Sequence, residues 1–150
     1  MMRAWVAVVV LAAALSLVTK ADATGAAPLV IDTKSGGHVA FTVELAVSQD
    51  ELSRGLMNRQ ALAEHSGMLF DFGYERPIAM WMKNTLIPLD MLFIASDGRI
   101  LGIAQRTVPM SLETIPSPGP VRAVLEVPGG TAERDHIAIG DKAHGAFLGK

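Results

Sequence analysis

Between His38 and Val47 the apolar residues fall at every second position. Val39, Phe41, Val43, Leu45 and Val47 share one side, and His38, Thr42 and Glu44 the other. A period of two marks a strand with one buried face. Ahead of it, Leu29–Ile31 begins an extended run, turned by Ser35-Gly36-Gly37. Behind it, Ser48-Gln49-Asp50-Glu51 has the form of a capping box, which predicts a short helix to about Leu56. Gly55 and Asn58-Arg59 end it, and Ala61–His65 leaves room for one more turn.

From Gly67 the strand pattern returns. Met68–Phe72 and Ile78–Met82 are short apolar runs broken by Gly73–Pro77, and Ile87–Ile94 is the strongest run in the chain. Ser96-Asp97-Gly98 is a tight Asp-Gly turn, so Ile87–Ile94 and Arg99–Ala104 are predicted to form a hairpin. Gln105–Val121 carries Pro109, Pro116, Pro118 and Pro120, which predicts a long loop or an edge. Its apolar Val108, Met110, Leu112 and Ile115 predict that it packs down beside Trp81–Asp90. Ala123–Val127 is a further strand, Gly129–Arg134 a tight connection with room for one helical turn, and Gly140-Asp141 a last turn. Many short strands and one short helix predict a mainly β fold, a compact antiparallel sandwich or small barrel.

The N-terminus changes the domain picture. Arg3 precedes an apolar Ala4–Val18, and Ala21-Asp22-Ala23 has the small-x-small pattern of a cleavage site. The fifteen residues Ala4–Val18, apolar apart from Ser16, fall short of the roughly 20 that span a bilayer. Residues 1–23 are therefore expected to be a cleaved secretory leader, 24–28 a linker and 29–150 a single β domain, exported to the periplasm or beyond, with no stable membrane anchor after cleavage. Of 13 basic and 15 acidic residues, Arg3, Lys20 and Asp22 fall in the leader; the remaining 11 and 14 give a net charge of −3. That is no field for nucleic acid. Without cysteine, disulfides and thiolate chemistry are excluded.

Candidate chemistry concentrates in Ala79–Asp90, where Met80, Trp81, Met82, Lys83, Asn84 and Asp90 are embedded in apolar sequence. Buried polar groups need partners. Lys83 and Asp90 either form a structural pair across the Asn84–Ile87 bend or line a pocket for an anionic or polyhydroxyl ligand, with Trp81 as an apolar platform. Asn84 and Thr85 are equally suited to satisfying the bend itself. Glu126 alternates with apolar neighbours and faces either that pocket or solvent.

Several motifs resemble domain-of-unknown-function family 192. They are Gly55-Leu56-Met57-Asn58-Arg59, Gly67-Met68-Leu69-Phe70-Asp71-Phe72 and Trp81-Met82-Lys83-Asn84-Thr85-Leu86-Ile87-Pro88-Leu89-Asp90, with Asp97-Gly98, Val124–Val127 and Gly140-Asp141. The resemblance implies a compact all-β, jelly-roll-like domain and implies no activity. Position 80, usually aromatic in that family, is Met80 here.

The expected function is a non-enzymatic binding or accessory module of the cell envelope. Its candidate site residues are Trp81, Met82, Lys83, Asn84, Asp90 and Glu126, and its partner a small polar or anionic ligand or an envelope component. Two alternatives differ in chemistry. Asp90 and Glu126 as an acid–base pair would act on a glycan or small polar substrate. Met80 and Met82 as thioether ligands would hold Cu(I). No histidine has metal-ligand spacing and no G-x-S-x-G elbow occurs, so neither a metal nor a cofactor is expected. Arg54 and Arg59, which flank the short helix, are expected to brace Asp71 or Asp141, with an anion site at the helix end as the alternative.

Overall fold

The structure, a computed structural model, describes residues 25–145 and Leu148; the predicted leader lies outside them. The chain is mainly β. Seven strands, β1 (Ala26–Asp32), β2 (His38–Ala46), β3 (Ser66–Met80), β4 (Leu89–Ile94), β5 (Ile100–Ala104), β6 (Ile115–Pro128) and β7 (Lys142–Gly145), form one sheet in the order β5-β4-β6-β3-β2-β1-β7. Among the described residues two short helices accompany them, α1 (Gln49–Arg54) and α2 (Thr131–Arg134), the second being the single turn for which Gly129–Arg134 left room. β1 takes in Ala26–Pro28, which was expected to be linker.

A single sheet replaces the two of a sandwich, because β3 and β6 are 15 and 14 residues long and bend with it. It curls until its edge strands touch at one end. Arg99 bridges Lys142, and the Ala143 amide donates to the Gly98 carbonyl at 2.8 Å. Nor is the sheet wholly antiparallel. β2 and β3 run parallel, with Thr42 opposite Ser66 and Ala46 opposite Phe70. A parallel pair needs a crossover, and α1 lies within it. Its predicted capping box forms: Ser48 Oγ accepts from the Glu51 amide at 3.3 Å, and Glu51 Oε2 from the Ser48 amide at 2.9 Å.

The proline-rich segment splits in two. Residues 105–114 form a loop whose hydrogen bonds lie against the Met82–Leu89 bend, as expected: Met82 amide to Ser111 carbonyl, 3.1 Å, and Met110 amide to Thr85 carbonyl, 3.0 Å. Residues 115–121 belong to the central strand β6, contrary to expectation. The prolines are tolerated there because β4 ends opposite Ala123, leaving Pro116, Pro118 and Pro120 with the β3 ladder on one side only. Even that ladder shifts register twice, between Asp71 and Arg76 and between Pro77 and Ala79. Ser117 Oγ accepts from the Ile78 amide at 3.0 Å in place of a backbone partner.

Each face of the sheet has its own core. Leu29, Ile31, Val43, Leu69, Leu125 and Val127 belong to one; Met68, Phe70, Met91, Phe93 and Val124 belong to the other, which also takes in Leu56 beyond α1 and Met82 from the bend. The candidate site lies on this second face.

Candidate functional site

Cross-strand partners share a face of a sheet and chain neighbours take opposite faces. Asp90 pairs with Val127, whereas Glu126 pairs with Met91 on one side and Met68 on the other. Asp90 and Glu126 therefore project from opposite faces. That removes the acid–base pair.

Asp90 is fully buried and serves the backbone. Its Oδ1 accepts from the amides of Arg106 (2.8 Å) and Gly130 (2.9 Å), and its Oδ2 from that of Ala132 (2.8 Å). Three amides, rather than the Lys83 ammonium, satisfy the carboxylate. They fix the start of α2 and hold Arg106 at φ 47°, a left-handed conformation costly for a residue with a side chain. Asp141 is a second latch of this kind, taking the amides of Lys34 (2.9 Å) and Ala138 (2.7 Å). It needs no arginine. Asp71 is braced by Arg122 at 2.8 Å, and Arg59 pairs with Glu44, so neither Arg54 nor Arg59 serves the carboxylates expected of them.

On the opposite face, a small open depression of about 30 Å³ lies between the C-terminal end of α1 and the bend after β3. Leu52, Leu56, Phe70 and Met80 give it apolar walls. Trp81 and Lys83 line it from the bend and Arg54 from the helix; all three are exposed, so they stand at its mouth. The Lys83 Nζ lies 4.9 Å from the centre of the Trp81 ring, a cation–π arrangement. The Asn84 carbonyl accepts from the Asn58 amide at 2.8 Å, tying the bend to the segment after α1. Asn84 itself has φ 54°, a conformation that asparagine tolerates better than most residues.

Glu126 also lines the depression. Its residue is 4% exposed, and among the described residues its carboxyl has no hydrogen-bond or ionic partner. Burial pushes its pKa up from 4.5 to about 8, so at neutral pH it is chiefly the neutral acid, able to donate a hydrogen bond. No attraction from Lys83 or Arg54 counters that shift. The depression thus joins an uncharged donor below to two cations above.

Of the six candidates, the structure brings Trp81, Lys83 and Glu126 together. Met82 lies under the bend, fully buried, with Thr107 Oγ1 3.1 Å from its sulfur. Met80 lines the depression and Met82 does not, because the chain leaves β3 at Met80 and strand alternation ends there. The two-thioether copper reading loses its geometry. Arg54, weighed from the sequence as part of an anion site at a helix end, is at the mouth; sequence reasoning missed the wall formed by Leu52 and Leu56, whose i, i+4 spacing around that helix end was the available signal.

A crystal structure from Sinorhizobium meliloti 1021, of a protein described as a "putative transcription regulator", is 48% identical to this chain. It superposes with a TM-score of 0.82 over 83% of this chain and 97% of that one. Another, from Novosphingobium aromaticivorans DSM 12444, described as a protein of unknown function, is 39% identical. Its TM-score is 0.76 over 79% of this chain and 84% of that one. Among curated proteins, none matches. The profile of DUF192, described as "Uncharacterized ACR", matches residues 30–145, a span that takes in both latches and the whole depression, and the chain belongs to that family.

Proposed function

We propose that this protein is an exported, non-enzymatic binding module of the cell envelope, and that it takes a small polar or anionic ligand in the depression above Glu126. One observation carries the reading. A nearly buried carboxyl, kept neutral by its surroundings, opens onto the depression, and a ligand acceptor seated there is the simplest recipient of its proton. Export rests on the apolar N-terminal segment and the absence of cysteine. The associated fold reading is a small jelly-roll-like barrel, supported by the contact between the edge strands.

The acid–base reading is not retained, because Asp90 and Glu126 occupy opposite faces of the sheet. The S. meliloti protein's description as a transcription regulator is not carried over to this chain, and the charges offer no field for nucleic acid. Arg59, Arg106, Arg122 and Arg134 are each paired with a carboxylate. The test is a small-molecule screen followed by amide chemical shifts. Shifts confined to Ser53–Met57 and Trp81–Thr85 support the reading, and a screen in which no compound moves those amides refutes it.

A further inference from the structure

The two ends of the depression ask for two different groups on one ligand. At the mouth stand Lys83 and Arg54. Lys83 is in no ion pair among the described residues, and Arg54 lies one turn after Glu51, whose carboxyl it helps to lower. Cations so placed suit an anionic head. The inner end is different. Glu126 is flanked across the sheet by Met68 and Met91, which bring no charge and no strong hydrogen-bonding group. Its carboxyl opens onto the depression, where a ligand can take its proton. A second anion there would suffer the same desolvation as Glu126 itself, whereas a ketone, amide or ether oxygen would accept the proton without that cost. Between the two ends the walls are aliphatic and aromatic.

We infer that the ligand is a small carboxylate with an uncharged acceptor oxygen a few carbons away, of the oxo-acid type, its carboxylate at Lys83 and Arg54 and its neutral oxygen hydrogen-bonded to Glu126. The inference rests on the depression being a binding site and adds the ligand's chemical class. The carbon spacer lies along Leu52, Leu56, Phe70 and Met80. An amine is disfavoured twice, by the cations at the mouth and by a carboxyl that is neutral when empty.

The experiment titrates the mature chain with levulinate, valerate, methyl levulinate and pentylamine, reading amide shifts at Ser53–Met57 and Trp81–Thr85. Levulinate should bind about tenfold more tightly than valerate, the worth of one hydrogen bond to a buried donor. Methyl levulinate, lacking the anion, should lose severalfold, as should levulinate with Lys83→Ala. Glu126→Leu should equalise levulinate and valerate, while Glu126→Gln, which keeps a donor, should retain the preference. Raising the pH past about 8 should erase it in the wild type as Glu126 ionises. Equal binding of the two acids by the wild type, an ester as tight as the acid, or tighter binding of pentylamine would overturn the oxo-acid class and leave the binding site standing. Failure of all four probes to move those amides would overturn the oxo-acid class, and the binding site falls with it only if the wider screen also leaves those amides unmoved.

Discussion

The amide of Ala132 donates to Asp90 Oδ2 at 2.8 Å across 42 residues of chain, and that bond closes a latch whose other two amides belong to Arg106 and Gly130. Asp90→Ala leaves those three donors without the carboxylate and should destabilise the fold by about 3–5 kcal/mol. Lys83→Ala should cost no more than about 1 kcal/mol, the scale of an exposed cation–π contact. Because the two side chains share no partner, the double variant should equal the sum of the singles in urea denaturation. Coupling above about 1 kcal/mol would show that the pair communicates after all.

Glu126 sets a pH dependence of unusual sign. Its carboxyl titrates near 8 in the folded chain against an ordinary 4.5, so the unfolded chain ionises first as pH rises. Its contribution to stability is fully present below about 4.5 and falls steadily between 4.5 and 8, a total of several kcal/mol at roughly 1.4 kcal/mol per pH unit. Asp71 and Glu44 act the other way. Burial raises Asp71, but Arg122 and the Gly73 amide outweigh it, and Arg59 lowers Glu44, so both favour the fold at neutral pH and lose that contribution in acid. The difference between wild type and Glu126→Gln isolates Glu126. The variant should gain on the wild type from pH 5 to 8, and two parallel stability curves would contradict the assignment.

Gly98 closes the curled sheet. At φ 88°, a Cβ on it would lie 2.0 Å from the Ala143 carbonyl oxygen. Gly98→Ala should cost more than about 1 kcal/mol. It should also speed hydrogen exchange of the Ala143 amide, which bonds to the Gly98 carbonyl, before that of the β3–β6 ladder.

Ser48→Ala removes one half of the capping box and should cost about 1 kcal/mol. Because Arg54 and Leu52 belong to the same six-residue helix, the variant should also weaken binding in the depression while leaving Asp90 and its amides intact. Unchanged affinity would mean that α1 is not a rigid wall.

Local features of the fold were legible in the residues: the alternation of β2, the capping box and the Asp-Gly hairpin each depend on neighbours a few positions apart. The placement of β6 was not, because prolines exclude a central strand only where partners stand on both sides, and where β4 ends is a tertiary fact. For the site, Trp81, Lys83 and Glu126 were within reach as polar or amphipathic residues among apolar ones. Asp90 misled for the same reason. A buried carboxylate needs partners, but sequence does not say whether they are a lysine close by or backbone amides up to 42 residues away.

β6 lies between β3 and β4, both of which precede it in the chain. A nascent polypeptide that has emerged only as far as Ala104 therefore holds two apolar ribbons, each with an open ladder and no native mate on that side. Neither can be sealed by a local hairpin. Until Ile115–Pro128 arrives and is inserted, both are available to neighbouring molecules, so synthesis of this small chain passes through an obligatory sticky stage that ends with a single late strand.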